Sequence, residues 1–115
     1  WQFNAWGGKY HPHDDDAAAG RRMVEAADAD YLPSRLVCEG GGIETDGQGT
    51  LLTTPSVLLS MSRNPEWSKS AIETELKQRL GVQKVLWVEG GELAGDDTDS
   101  HIDQLVRFVR PGCVV

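Results

Sequence analysis

The sequence predicts an α/β fold, and three observations predict it. Runs with the apolar alternation of strands are interleaved with runs of helical period, in the order strand, strand, helix, strand from Val37 to Val88. Each change of period falls on Gly, Pro or Asp-Gly, the residues that end elements and build turns. The composition, 39% hydrophobic and 25% charged over 115 residues, is that of one folded unit with a modest core. No low-complexity linker divides the chain and no internal repeat is visible, so residues 1–115 are read as a single α/β piece.

In chain order, Trp1, Phe3 and Ala5 alternate as in a half-buried strand, with Gly7-Gly8 to end it. His11-Pro12-His13-Asp14-Asp15-Asp16 brings two His and three Asp together, but acids in a first helical turn complement the N-terminal dipole, so the run is read as a helix start. Ala17, Gly20, Val24 and Ala27 share one face of a helix to about Ala29, whose small side chains suit packing on a sheet. Arg35-Leu36-Val37-Cys38 is β-rich and ends at Glu39 and three glycines. Ile43-Glu44-Thr45, the turn Asp46-Gly47-Gln48-Gly49 and Thr50 to Thr54 form a hairpin. Pro55 closes it, and Ser56 to Leu59 runs on toward an Arg63-Asn64-Pro65 turn. A helix starts near Ser68 or Ser70, Ser70 and Glu73 having capping-box spacing. Its stripe is Ile72, Leu76 and Leu80, and Gly81 stops it. Val82 to Val88 is the next strand, buried on both sides around Val85-Leu86-Trp87-Val88. Leu105 to Val109 is extended, Pro111-Gly112 turns, and Cys113 opens a further strand.

The net charge of −7 argues against nucleic acid and against an anionic membrane as partners, and favours small cations. No stretch approaches the ~18 consecutive apolar residues of a membrane span. Cys38 and Cys113 form neither a CxxC motif nor a disulfide framework, which suits a reducing cytoplasm. A chain that opens on Trp-Gln-Phe-Asn-Ala-Trp and stops on Cys-Val-Val reads as a piece of something longer.

The richest chemistry lies in Gly95 to Asp103, where Asp96, Asp97, Asp99, Asp103 and His101 occupy nine residues with no basic residue among them. Crowded carboxylates repel unless a cation or a set of donors sits among them, so the loop implies a cationic ligand. If the piece is extended, His101 and Asp103 point the same way, and a carboxylate beside an imidazole tunes it as a proton shuttle. Asp96 and Asp99 fit loop-shaping carboxylates that accept backbone N–H groups. Glu39 before its glycines, the Asp-Gly hairpin and the acidic loop all stand at strand ends, where α/β folds build sites.

Taken with Phe3-Asn4-Ala5-Trp6-Gly7-Gly8 and Arg110-Pro111-Gly112, these motifs resemble, from Trp1 to Val115 and least between Lys9 and Ser34, the agmatine deiminase and bacterial-type peptidylarginine deiminase family. Its members are guanidino-modifying enzymes of pentein (α/β-propeller) fold. The resemblance implies a partial pentein: about one complete ββαβ unit plus parts of its neighbours, residues 1–115 being a fragment of one catalytic domain. It implies that a Cys thiolate attacks a guanidinium carbon, ammonia leaves, and water hydrolyses the amidino adduct. His101 matches the catalytic His that protonates the leaving ammonia and then activates water. Glu39 matches the catalytic Glu beside it. Asp103 matches the guanidinium-binding Asp, a carboxylate being the natural partner of that planar fork of donors, and Asp97 the loop carboxylate that reaches the substrate's amine. The family's upstream guanidinium-binding Asp and downstream nucleophilic Cys have no counterpart here. Cys38 and Cys113 fall where aliphatic residues are usual and are read as core thiols. Ser100 stands where Gly is usual.

The implied function is a hydrolase acting on linear amidines, agmatine to N-carbamoylputrescine plus ammonia on the route to putrescine, with no cofactor and no metal. The fragment alone is expected to be inactive. A peptidyl-arginine deiminase, and a non-catalytic module whose acidic loop holds a divalent metal, are the alternatives. Partners are expected to be a small cationic guanidino substrate, neither nucleic acid nor membrane, and further copies of the fragment through exposed apolar edges.

Overall fold

A computed structural model describes residues 1–91 and 93–115. Its centre is a sheet of three strands in the order β1-β2-β3, with β1 at Ile43–Thr45, β2 at Thr50–Thr53 and β3 at Lys84–Trp87. β1 and β2 form the predicted hairpin, antiparallel with Ile43 opposite Thr53 and Thr45 opposite Leu51. Asp46 shapes its turn, one carboxylate oxygen accepting from the N–H groups of Gln48 at 2.8 Å and Thr50 at 2.9 Å. The chain then crosses through helix α4 (Lys69–Leu80) and returns as β3, parallel to β2 with Leu51 beside Val85 and Thr53 beside Trp87. This is the predicted ββαβ unit. Leu36, Cys38, Leu51, Val57, Leu58, Ile72, Leu76 and Val82 make the core between sheet and α4. A two-stranded ribbon of β4 (Phe108–Arg110) and β5 (Cys113–Val114) follows, its turn at Pro111-Gly112 as expected.

Helix α4 ends on Gly81 in the left-handed conformation, as predicted, and its N-cap is Ser68, one of the two expected starts, without the expected capping box. The Ser68 side chain, not that of Ser70, accepts from Ala71 N–H, and Glu73 takes the Trp87 indole N–H at 2.8 Å instead of closing a capping box. Ile72 and Leu76 are fully buried while Leu80 is 41% exposed, because the stripe outruns the sheet it covers.

Five further expectations are corrected. Trp1 to Trp6 makes only one parallel bridge, Gln2 with Val37, before the chain coils into a turn, α1 (Ala5–Gly8). Asn4 drives this: its Oδ1 accepts from Gly7 N–H and its Nδ2 donates to Ser62 O, both at 2.9 Å, and Trp6 and Gly7 take left-handed φ values of 54° and 80°. Among the described residues Arg35 to Cys38 gains no further partner strand, because the Asn64 amide occupies both Val37 backbone groups at 3.0 and 2.9 Å. Helix α2 (Asp14–Ala26) forms with its acids in the first turn but buries no residue and lies on no sheet. Its alanines and glycine offer little apolar area, and Met23 stays 71% exposed. Ser56 to Leu59 is not extended; Pro55 sets the first φ of a helical turn, α3 (Pro55–Leu58), that drives Val57 and Leu58 into the core. Finally β3 is an edge strand covered on one face only, so Lys84 and Leu86 face outward and Val85 and Trp87 inward.

Candidate functional site

Two short turns meet at one end of β2. The glycines 40–42 form a 3-10 turn after Glu39, and Ile102–Gln104 form another after His101. Threonines at the end of β2 pin both: Thr53 Oγ1 donates to Gly42 O at 2.8 Å and Thr54 Oγ1 to Ser100 O at 2.9 Å. Ile102, fully buried, anchors the second turn in the core. The expected extended run from His101 to Asp103 is therefore absent, yet the two side chains still converge, because they straddle Gly41. A methyl group on Gly41 would lie 2.6 Å from His101 Nδ1 and 2.7 Å from Asp103 Oδ2. A methyl on Gly42 would meet Val57 at 3.0 Å, whereas one on Gly40 would meet nothing. Two of the three glycines are thus spacers for close packing, and Gly41 is the floor on which imidazole and carboxylate stand.

Glu39 occupies the residue before the glycine turn but does not cap it. Its buried carboxylate instead lies 3.2 Å from His101 Nε2 through Oε2, and both its oxygens accept from Arg63 Nε at 3.0 Å. Burial pushes the Glu39 carboxyl up, but the hydrogen bonds from His101 and Arg63 and the Arg63 charge outweigh it and hold it below the usual glutamate range. Because a carboxylate only accepts, the proton on this line belongs to Nε2 of the imidazole, leaving Nδ1 on the side shared with Gly41 and Asp103. Asp103 is exposed on that side.

The acidic loop supplies the rest. Asp96 shapes it as expected: Oδ1 accepts from Thr98 N–H at 2.7 Å and from the Thr98 hydroxyl, and Oδ2 from Ser100 N–H at 2.6 Å. Asp99 does otherwise. Its carboxylate pairs with Arg63 Nη1 and with Lys9 Nζ, each at 2.7 Å. Burial raises the Asp99 carboxyl and these two cations lower it further, leaving it below the ordinary aspartate value. Residues far away in sequence thus answer part of the charge that these crowded acids carry. Asp97 Oδ2 accepts from the Tyr10 hydroxyl at 2.6 Å, at a small cavity of about 220 Å³ lined by Trp6, Tyr10, Asp97 and Thr98. A larger open cavity of about 580 Å³ lies against Asp96, Asp99 and Ser100, with Lys9 and three serines on its far wall. Asp99 and Ser100 both take left-handed φ, 67° and 66°, which explains why glycine is the easier residue before His101.

Arg63 is the residue that sequence reasoning missed. It reads as a turn residue beside Asn64-Pro65, yet its side chain has no exposure. The one hint is a lone Arg, with no charged neighbour from Thr50 to Pro65, in a stretch that supplies much of the core. Cys38 behaves as expected of a core thiol, whereas Cys113 lies outside the hydrophobic core. Cys38 is buried against its own following carbonyl, and burial, then the Glu39 charge, pushes it up to about 12, so it is no thiolate. Cys113 is half-buried in β5, and neither cysteine is in a disulfide. Among the described residues no group of three or more His, Cys, Asp or Glu side chains could hold a metal ion, and no helix is long and apolar enough to cross a membrane. Residue 92 lies outside the described residues.

Known proteins are similar to this chain in sequence and fold. An agmatine deiminase of Medicago truncatula is 42% identical over all of this chain, which spans 32% of that relative. Among solved structures, an agmatine deiminase of Enterococcus faecalis matches with a TM-score of 0.90 and 44% identity, over 99% of this chain and 32% of its own. A C. jejuni agmatine deiminase with substrate bound matches at 0.89 and 35%, over 98% and 34%. The ββαβ unit with its flanking segments is thus part of a pentein fold, and the chain spans about a third of the length of the curated relatives it matches. One family model runs through every residue from 1 to 115, and with it the order of motifs from Phe3 to Gly112 finds its place: the chain belongs to the Porphyromonas-type peptidyl-arginine deiminase family.

Proposed function

We propose that this chain carries the Glu–His–Asp part of the active site of a guanidino-group hydrolase, and that the whole protein converts agmatine to N-carbamoylputrescine and ammonia, a step toward putrescine. One observation carries the reading: a buried carboxylate holds His101 by Nε2, and this leaves Nδ1 beside an exposed carboxylate, Asp103, over a glycine with no side chain to block the approach. Asp103 is placed to accept two N–H groups of a planar guanidinium. The imidazolium then gives its Nδ1 proton to the nitrogen that leaves as ammonia when the guanidinium carbon is attacked, and takes a proton from the water that cleaves the adduct. Asp97, beside Trp6 and Tyr10, would receive the cationic amine at the other end of agmatine.

The attacking sulfur is not Cys38, which is held as a thiol inside the core. The chain alone is therefore expected to bind guanidinium without turning it over. Titration of the labelled chain with agmatine, against putrescine, which has the amine but no guanidinium, tests this by NMR. Agmatine should shift His101 and Asp103 while no ammonia forms. Equal shifts with putrescine refute the reading.

The name of the Porphyromonas-type peptidyl-arginine deiminase family favours peptidyl-arginine as a second substrate, and agmatine against a blocked arginine peptide on the whole protein separates the two. A metal-binding module loses its support, because Asp96, Asp97 and Asp99 already accept from protein donors. Free cysteines accord with a cytoplasmic setting. The sheet edge at β3 and the ribbon enclose an apolar cavity of about 520 Å³ among Leu52, Leu86, Val88, Val106, Phe108 and Val114, and copies of the chain are expected to associate there. Sedimentation at rising concentration measures this, and a monomer throughout argues against it.

A further inference from the structure

We propose that Arg63 is a positioning residue, one that locks the Glu39 carboxylate and thereby the His101 imidazole into a single arrangement, tying both to the acidic loop. For its use in catalysis the proposal rests on the guanidino-hydrolase reading above; its geometry is independent of that reading.

All three guanidinium nitrogens of Arg63 are engaged. Nε meets both oxygens of Glu39 at 3.0 Å, Nη1 meets Asp99 Oδ2 at 2.7 Å, and Nη2 meets Thr98 O at 3.2 Å. The Arg63 side chain is wholly buried, and its bonds to Glu39 are made where water cannot replace them. Glu39 Oε2 is shared between Arg63 and His101 Nε2. A buried carboxylate beside a neutral ring needs a permanent cation, and Arg63 supplies one from the side away from the ring. With Glu39 ionised and fixed, the Nε2 proton has one acceptor and stays there, and the exchangeable proton is confined to Nδ1, toward Asp103. The other charges near the ring are Asp96 and Asp99 from the loop and Asp103 from the following turn. Lysine cannot do the same work. Its ammonium is a point charge and cannot span Glu39, Asp99 and the Thr98 carbonyl together.

The test reads the imidazole itself. In the full chain at a pH where His101 is neutral, nitrogen NMR should show the Nε2–H tautomer in more than about tenfold excess, as a hydrogen bond to a charged acceptor implies. In Arg63→Gln, and equally in Arg63→Lys with its charge kept, that excess should fall by about threefold or more, with backbone amide spectra confirming the fold. Asp99→Asn cuts the guanidinium from the loop at a partly exposed side chain, and it decides the matter if neither Arg63 variant folds. It should lower the excess in the same direction. An unchanged tautomer ratio in any folded variant among the three overturns the proposal. No guanidino compound enters this readout. If the ratio follows Arg63 while agmatine leaves His101 and Asp103 untouched, the functional reading fails and the positioning stands; the reverse pattern removes the positioning alone.

Discussion

Replacing Gly41 by alanine probes the site directly, because the obstruction it creates is confined to the two side chains assigned to the chemistry. The added methyl would lie 2.6 Å from His101 Nδ1 and 2.7 Å from Asp103 Oδ2, against contact distances of about 3.5 Å. Each group must retreat by nearly an ångström. Asp103, exposed, swings away at little cost, but His101 is 5% exposed and tied to Glu39, so the ring moves only by loosening that bond. Overpacking of this kind costs about 1–3 kcal/mol. Gly40→Ala is the control, since nothing lies within 4 Å of a methyl there. Both substitutions reduce the freedom of the unfolded chain by a similar amount, which cancels in the difference. Urea denaturation should therefore place Gly41→Ala about 1–3 kcal/mol below Gly40→Ala, and the His101 ring signals should shift in the first variant only. Equal stability of the two, with His101 unmoved, would mean that imidazole and carboxylate do not stand on Gly41 and that the site has another shape.

Three further outcomes follow from the same contacts. Glu39 and Asp99 sit below their ordinary values of 4.5 and 3.8, so the folded chain binds protons less readily than the unfolded one. The urea midpoint should be flat above about pH 5.5, fall as pH drops through the range below 4.5, and fall less steeply in Glu39→Gln. Ser68→Ala should cost about 1 kcal/mol and Ser70→Ala well under half that, measured by urea midpoint, because only Ser68 accepts from the free N–H of Ala71. Cys38, pushed up to about 12, should resist iodoacetamide at pH 8 in the native chain and react once urea unfolds it; fast native alkylation would refute its burial.

Local chemistry was readable wherever the sequence decided locally. The Asp46 turn, the Gly81 stop, the acids opening α2 and the Ile72–Leu76 stripe each depend on neighbours within a turn or two, and each is found where its residues place it. Two of the failures share one cause. Asn4 and Asn64 look like ordinary polar residues, yet their amides take backbone groups of Gly7 and Val37 and so turn two strand-like runs into a coil and a single bridge. Alternation of side chains says which face would be buried, not whether a side-chain amide will claim the ladder's hydrogen bonds first.

The same limit governs the site. Glu39, His101 and Asp103 were visible as residue types at strand ends, because paired acids and an imidazole are costly to assemble for structure alone. What sequence could not show was which charges they answer to. The loop's acids called for a cation, and a ligand was the reading available from nine residues without a basic one; the chain's own cations, Lys9 and Arg63, lie 90 and 36 positions from Asp99 and so fall outside any local window. With Arg63 and Lys9 answering Asp99, the loop's charge is partly balanced from within, and Asp103, exposed at the imidazole's free face, is the carboxylate left for the guanidinium of the proposed function. On the proposed reading, a site that must bind a guanidinium and release a neutral ureido group works best when its own charges are balanced without the substrate, since the surplus that remains is then confined to the atoms that meet it.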